Sequence, residues 1–541
     1  MTLLTLLNAR TLAAYTEAGF WGTETIYQLA ARHARAVPDA FAVRDRHRRL
    51  NYAELVEAAD HLAAHLAGSG LREGQRVVVW LPSRIEAAIA VLACSRNSYV
   101  CCPSLHRDHR VAEIVALAER VRAAALIALP GYGADSDRLD VFAELAGQQA
   151  LRFCWPVGPA DGAPFAALAG PAINWPASGD ANQIMYLPFT SGTTGIPKGV
   201  LHSDNTLLAT ARMMARDWRL EGAVLYTLSP LSHNLGLGAL ITALAGGGEL
   251  VLHDLPRGAS LIDRLEETGA EFLFGVPTHA IDLLAEMRAR SVRRLANVRG
   301  FRISGAAAPP ALVTALMEHG IMPQSGYGMT ETCSHQYTLP EDPPERVAGT
   351  CGRARDGYEL RIWRKDDPNV EAAPGEIGEI GGRGASLMLG YFDDQGATEV
   401  AFNEQGWFMT GDLGWLDNAG YLHITGRKKE IIVRGGRNIC PGTIEALALR
   451  CDGVEKAAAF AIPDARLGER VCLALVVRPG MQLDPVHLLR DLENAGLAKY
   501  NLPEFLLSVA AMPLTPSGKI IKRELMRWVA EGEVQPIPLR G

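Results

Sequence analysis

At 541 residues the chain has room for about three or four domain-sized units, and a hydrophobic share of 48% is enough to fill several cores. Lys and Arg number 53 against 60 Asp and Glu, a formal charge of -7 that gives no general electrostatic reason to expect a nucleic-acid or anionic-membrane partner, so any phosphate chemistry must be local. The nine cysteines include no C-x-x-C pair, which predicts neither a disulfide framework nor a zinc site and suits a reducing cytoplasm.

The first residues, Met1-Thr2-Leu3-Leu4-Thr5-Leu6-Leu7, have no basic residue ahead of their apolar run and are soon interrupted by Arg10. They are expected to be a plain start rather than a signal peptide. Residues 76–81 (RVVVWL) predict a strand, 85–94 a helix, 99–103 a strand, 111–123 a helix and 124–129 a strand. Such alternation is the mark of α/β layering. Residues 157–179, rich in Pro, Gly and Ala, read as a connection.

The longest stretch free of Asp, Glu, Lys and Arg is 223–248. Pro230, Ser232, His233, Asn234 and several glycines within it predict a buried strand, loop and helix rather than a membrane span. The α/β rhythm continues to residue 326 through the strand candidates ELVLHD, EFLFG and FRISG. Near Gly420 the spacing changes to short strands (YLHIT, EIIVR, AAAFAI, VCLALVV) with helices at 441–450 and 485–494, which predicts a small α+β domain at the C-terminal side.

The sharpest local feature is Thr190-Ser191-Gly192-Thr193-Thr194-Gly195-Ile196-Pro197-Lys198-Gly199. Glycines let backbone N–H groups approach phosphate oxygens, hydroxyls add donors, and Lys198 supplies an offsetting charge. It is not a Walker A loop, because Gly follows the lysine and the spacing differs. With residues 185–189 before it, this loop resembles the signature of the adenylate-forming superfamily of acyl-CoA synthetases, peptide-synthetase adenylation domains and luciferases.

Further matches follow in that superfamily's order: Leu231-Ser232-His233-Asn234; Gly305-Ala306-Ala307; Tyr327-Gly328-Met329-Thr330-Glu331; Thr410-Gly411-Asp412; Gly426-Arg427-Lys428-Lys429-Glu430 running on to Pro441; and Pro513-Leu514-Thr515-Pro516-Ser517-Gly518-Lys519. The resemblance spans nearly the whole chain. It implies a large N-terminal domain of layered α/β subdomains over residues 1–426, a small mobile domain over 427–541, and an active site at their interface.

The resemblance also implies the roles. Thr190, Ser191, Gly192, Thr193, Thr194 and Lys198 would cradle the phosphates of ATP, with Gly305, Ala306, Ala307 and Gly328 also on the nucleotide side. Tyr327 would stack on adenine, Thr330 would bind phosphate and Glu331 a magnesium ion. Asp412, acceptor-only when ionised, would grip both ribose hydroxyls, and Arg427 would contact ribose and phosphates. Lys519 would bridge the substrate carboxylate and the α-phosphate during adenylation. His233 would open the acyl pocket, with Asn234, Gly236, Gly305 and Gly328 leaving volume beside it for an apolar acid larger than acetate. Lys429 matches a hinge, and Gly435 and Gly436 would let the backbone approach coenzyme A.

Arg437 and Thr443 stand where relatives usually carry acidic residues, which bears on the local helix cap and the acceptor site. Among subfamilies, the ITGRKKEIIVRGGRNI run and Ala498-Lys499-Tyr500 most resemble bacterial medium-chain fatty acid and cyclohexanecarboxylate CoA ligases. The expected activity is therefore an ATP-dependent acid:CoA ligase for a medium-chain, alicyclic or aromatic acid. Ser232-His233-Asn234 also resembles the aryl-acid adenylating enzymes that load a separate carrier protein, which is the alternative. No Asp-Ser attachment sequence follows Lys519, so a fused carrier is not expected. A catalytically silent relative fits poorly, since Lys198, Glu331, Asp412 and Lys519 are all in place.

Overall fold

The computed structural model describes residues 8–103, 109–158, 162, 177–190, 197–256, 258–305, 308–478, 480–514 and 520–539. Ser191, Gly192, Thr193, Thr194, Ala306, Ala307 and Lys519 lie outside the described residues, as does most of the expected connection at 157–179. The architecture is mixed α/β, with a large N-terminal domain and a smaller C-terminal one.

Two large sheets carry the first domain. One has, among other strands, Gly300–Ile303, Phe272–Gly275, Val224–Thr227 and Glu249–Leu252 side by side and parallel. The other places Val100–Cys102, Arg76–Trp80, Ala123–Ala128 and Phe153–Pro156 in parallel, with Ile184–Tyr186 and Lys198–Ser203 beyond. Helices Ile26–Ala36, Tyr52–Gly68, Ile85–Arg96, Asp204–Asp217 and Asn234–Gly246 contribute to a single core with residues of both sheets. All twelve residues of Ile85–Arg96 are buried. A helix in that position needs apolar side chains around its circumference, and its one carboxylate, Glu86, is met by Arg48 and Arg84 at 2.7 and 2.8 Å.

The elements expected from residues 76 to 129 form, with boundaries moved by one or two residues and one by three. The helix Val111–Arg120 stops three residues early, because Arg122 turns the chain at φ 51° and Ala123 already belongs to the next strand. The charge-free stretch 223–248 is the expected strand, loop and helix, and among the described residues no helix is long and apolar enough to cross a membrane.

A four-stranded antiparallel sheet, Tyr358–Trp363, Gly378–Gly384, Phe408–Leu416 and Leu422–Arg427, follows. The C-terminal sheet is built on Val454–Asp464 and Gly468–Val477. These run eleven and ten residues, longer than the short strands expected, since pairing is nearly continuous from Val454↔Val477 to Asp464↔Gly468. Helix Pro441–Ala448 begins with Pro at its first position and has no side-chain cap, in line with the missing acidic residues near Thr443.

Candidate active site

Strand Lys198–Ser203 ties two motifs together. Residues four apart on a strand share a face, so Lys198 and His202 point the same way. Lys198 Nζ lies 4.5 Å from the centroid of the Tyr391 ring, and Tyr391 Oη donates to Glu331 at 2.9 Å. His202 Nε2 meets the Thr330 carbonyl at 2.7 Å, and since a carbonyl only accepts, the proton sits on Nε2. Burial holds His202 down to about 4, so the ring is neutral near pH 7. Burial pushes the Glu331 carboxyl above its usual range, while the Tyr391 hydrogen bond and the charges of Arg427 and Lys198 oppose that rise.

A second row is set by strand register. Asp412 and Arg427 are direct partners across Phe408–Leu416 and Leu422–Arg427. Arg427 Nε donates to Asp412 Oδ1 at 2.9 Å, and the Tyr327 phenol donates to Asp412 Oδ2 at 2.8 Å. Thr410 Oγ1 accepts from the Asp412 amide at 3.1 Å. Asp412 is only 6% exposed while the Arg427 side chain is half exposed, so the pair presents its charge toward one open side. Next to it, Lys428 Nζ pairs with the buried Glu379 at 2.8 Å, and Glu379 also accepts from the Gly411 amide.

The expected acyl side is the region between helices Asp204–Asp217 and Asn234–Gly246. His233 caps the second, its Nδ1 accepting from the Leu235 amide at 3.2 Å. Asn234 leads into a narrow cavity walled by Leu207, Met214, Ile241, Phe274 and Cys333. Burial pushes the Cys333 thiol up to about 12, opposed by a hydrogen bond with Asn234.

The glycines expected to open this cavity do something else. A Cβ on Gly236 would meet the Pro230 carbonyl oxygen at 2.2 Å, and one on Gly328 would meet the Cys333 carbonyl oxygen at 2.0 Å. Both are glycine because backbone packs against them, so neither leaves volume for a substrate. Gly238, which the sequence reading passed over, has nothing within 4 Å of its Cβ direction and lines the cavity.

Gly305 ends the strand Gly300–Ile303 region at φ 91°. Thr190 pairs with Lys198 across two short antiparallel strands. Lys429 sits in the single 3-10 turn Lys428–Glu430 that links the four-stranded sheet to the C-terminal one. Gly435 and Gly436, at φ 56° and 79°, form a hairpin turn of the C-terminal sheet and stand outside the Asp412 cluster.

Tyr391 was not legible as a site residue. The only signal is a tyrosine inside the charge-free run 385–392, where a buried phenol needs a polar partner. His202 was missed likewise. Among the described residues no group of three His, Cys, Asp or Glu is placed to hold a metal.

A family model described as AMP-binding enzyme matches residues 30–392, and one described as AMP-binding enzyme C-terminal domain matches 443–519. The medium-chain fatty-acid–CoA ligase of Escherichia coli (strain K12) is 30% identical, covering 98% of this chain and 95% of that protein. The salicylyl-CoA synthase / salicylate adenylyltransferase of a Streptomyces species is 32% identical, covering 97% of each. Among solved structures, ATP-bound MatB from Rhodopseudomonas palustris superposes with a TM-score of 0.83 at 27% identity, over 94% of this chain and 99% of that one.

Proposed function

Since this chain belongs to the AMP-binding enzyme family and is an acid–thiol ligase of that family, we propose that it condenses a medium-chain, alicyclic or aromatic acid with ATP. The products of this step are an acyl-adenylate and pyrophosphate, and the acyl group then passes to coenzyme A with release of AMP. The observation that carries the reading is the cross-strand pair Asp412–Arg427, with the Tyr327 phenol on the same carboxylate.

That carboxylate is oriented by two donors and accepts ribose hydroxyls. Arg427 turns its exposed side to the phosphates. Lys198, held over the Tyr391 ring, offsets phosphate charge, and the Thr190–Lys198 loop supplies further donors. The donor set also suits magnesium: Glu331 is a carboxylate near Lys198, and a magnesium ion bound to a polyphosphate needs only one or two protein carboxylates. Glu331 would hold it, and the ion when bound reduces the repulsion between the phosphates and an incoming carboxylate. Lys519 stabilises the charge that develops on the α-phosphate.

Small-domain residues from 427 onward turn about Lys429 between the two steps. This takes Lys519 out and brings the Gly435–Gly436 turn to the thiol. The enzyme works in the cytoplasm, in keeping with nine free thiols.

The test is pyrophosphate release from ATP across a panel of aliphatic, alicyclic and aromatic acids, with hydroxamate trapping of the adenylate, repeated with coenzyme A. Acid-dependent pyrophosphate and a thioester are expected. Transfer of a hydroxylated benzoate to a carrier protein, with none to coenzyme A, would replace this reading by the carrier-loading one. The similarity to a salicylate adenylyltransferase keeps that reading in view. No acid-dependent pyrophosphate at all would end both.

A further inference from the structure

The acyl cavity contains one polar group with nothing to bond. Thr210 is 6% exposed and lines the cavity, yet its hydroxyl has no hydrogen-bond partner among the described residues. A helical threonine ordinarily avoids this by donating to the carbonyl one turn earlier. The chain does so elsewhere: Thr16 donates to the Leu12 carbonyl at 2.9 Å, Thr268 to Arg264 at 2.8 Å and Thr398 to Asp394 at 2.9 Å. Thr210 sits inside helix Asp204–Asp217 with the same option and does not take it.

An unbonded buried hydroxyl costs about 1–3 kcal/mol, and a valine of the same shape avoids the cost. The same cavity has a second weakly bound hydroxyl. Thr242 has only the Met214 sulfur, at 3.9 Å, on the facing helix. Across the seam, Gly238 leaves open space where any other residue would place a side chain. A cavity built for plain hydrocarbon has no use for this arrangement.

We infer that the acid this enzyme takes carries an oxygen function, a hydroxyl or a ketone, on its aliphatic or alicyclic frame away from the carboxylate, and that Thr210 Oγ1 is the hydrogen-bond partner of that oxygen. The inference rests on reading this cavity as the acyl site.

It is tested with matched acids on the full-length enzyme: cyclohexanecarboxylate against its 4-hydroxy and 4-oxo forms, and octanoate against its 7-hydroxy, 8-hydroxy and 7-oxo forms. The readout is kcat/KM for pyrophosphate release at saturating ATP. The best oxygenated member should exceed its hydrocarbon partner by about tenfold, because a site that bonds a substrate oxygen rejects the analogue lacking it. Thr210→Val should bring that ratio close to one, and Thr210→Ser, which keeps the hydroxyl, should keep the preference. Because the ratio is taken within one variant, a general loss of fold or activity does not move it.

A native enzyme that favours the hydrocarbon member of every pair overturns the inference. So does a ratio that Thr210→Val leaves unchanged. If no acid of either kind releases pyrophosphate, the acid-activation reading falls and takes this one with it, whereas activity without a Thr210-dependent ratio removes this inference alone.

Discussion

The proposed nucleotide side and the proposed acyl side of this molecule are built on opposite rules. Around Asp412 and Glu331 every central polar group is met by another: Tyr327 and Arg427 on one carboxylate, Tyr391 on the other, and His202 on the Thr330 carbonyl. Between the two helices of the acyl cavity, the Thr210 hydroxyl stands unmet and Gly238 faces open space. A site whose groups already satisfy one another holds its shape before a ligand arrives. A site that leaves groups unmet depends on the ligand to complete it, and its selectivity comes from that dependence.

The largest test of the contrast is Asp412→Ala. It strips two donors of their shared acceptor, leaving the buried Tyr327 hydroxyl without its partner. Acid-dependent ATP–pyrophosphate exchange should fall by roughly a hundredfold or more, with a stability loss of about 1–3 kcal/mol read by urea unfolding. Unchanged exchange would mean the Asp412 row is only structural.

His202 gives a pH-dependent test of the same side. Its folded pKa is depressed to about 4, so below the ordinary histidine value the unfolded chain binds a proton that the folded one refuses. Its contribution is therefore full above about pH 6.5 and is lost as pH falls toward 4, a change of about 3 kcal/mol. Buried Asp204, raised to about 7, slopes the other way. The comparison is thus between native and His202→Gln unfolding at pH 7 and pH 5, where the variant should lose less on acidification.

Two glycines one helical half-turn apart sharpen the acyl side. Gly236→Ala drives a Cβ into the Pro230 carbonyl and should destabilise by about 2 kcal/mol. Gly238→Ala meets nothing and should stabilise by about 0.5–1 kcal/mol, while lowering kcat/KM for bulky acids more than for short ones. Equal effects at the two positions would refute the assignment of space to Gly238.

The smallest effect belongs to Tyr391→Phe, which leaves Glu331 without its phenol donor. Exchange should drop by about tenfold. The acidic limb of the pH–rate profile should move upward, because a donor that favours the carboxylate has gone.

Much of this was legible beforehand, for a physical reason. Asp412, Arg427, Tyr327 and Lys198 were singled out through resemblance to superfamily motifs, and the structure brings the first three into contact. The strand and helix rhythm from residue 76 to 129 was legible because burial on two faces requires continuous apolar runs. Tyr391 was not, since its partner Glu331 is sixty positions away and neither residue signals the other.

The glycines misled for a related reason. A glycine signals only that a Cβ is unwelcome, and whether backbone or empty space lies beyond it depends on chain brought in from elsewhere. The loop and the residue expected to bear most of the chemistry, residues 191–196 and Lys519, are outside the described residues.

The walls of the proposed acyl cavity come mostly from two helices, within residues 207–242, with Phe274, Cys333 and Ser334 closing the far side. Asp412 and Tyr327 lie on other strands, and Glu331 on the turn just before the strand that carries Cys333. Recognition of the acid is thereby separable from energy coupling, so transplanting residues 204–246 between relatives would carry substrate choice as one exchangeable cassette while the adenylating machinery stays in place.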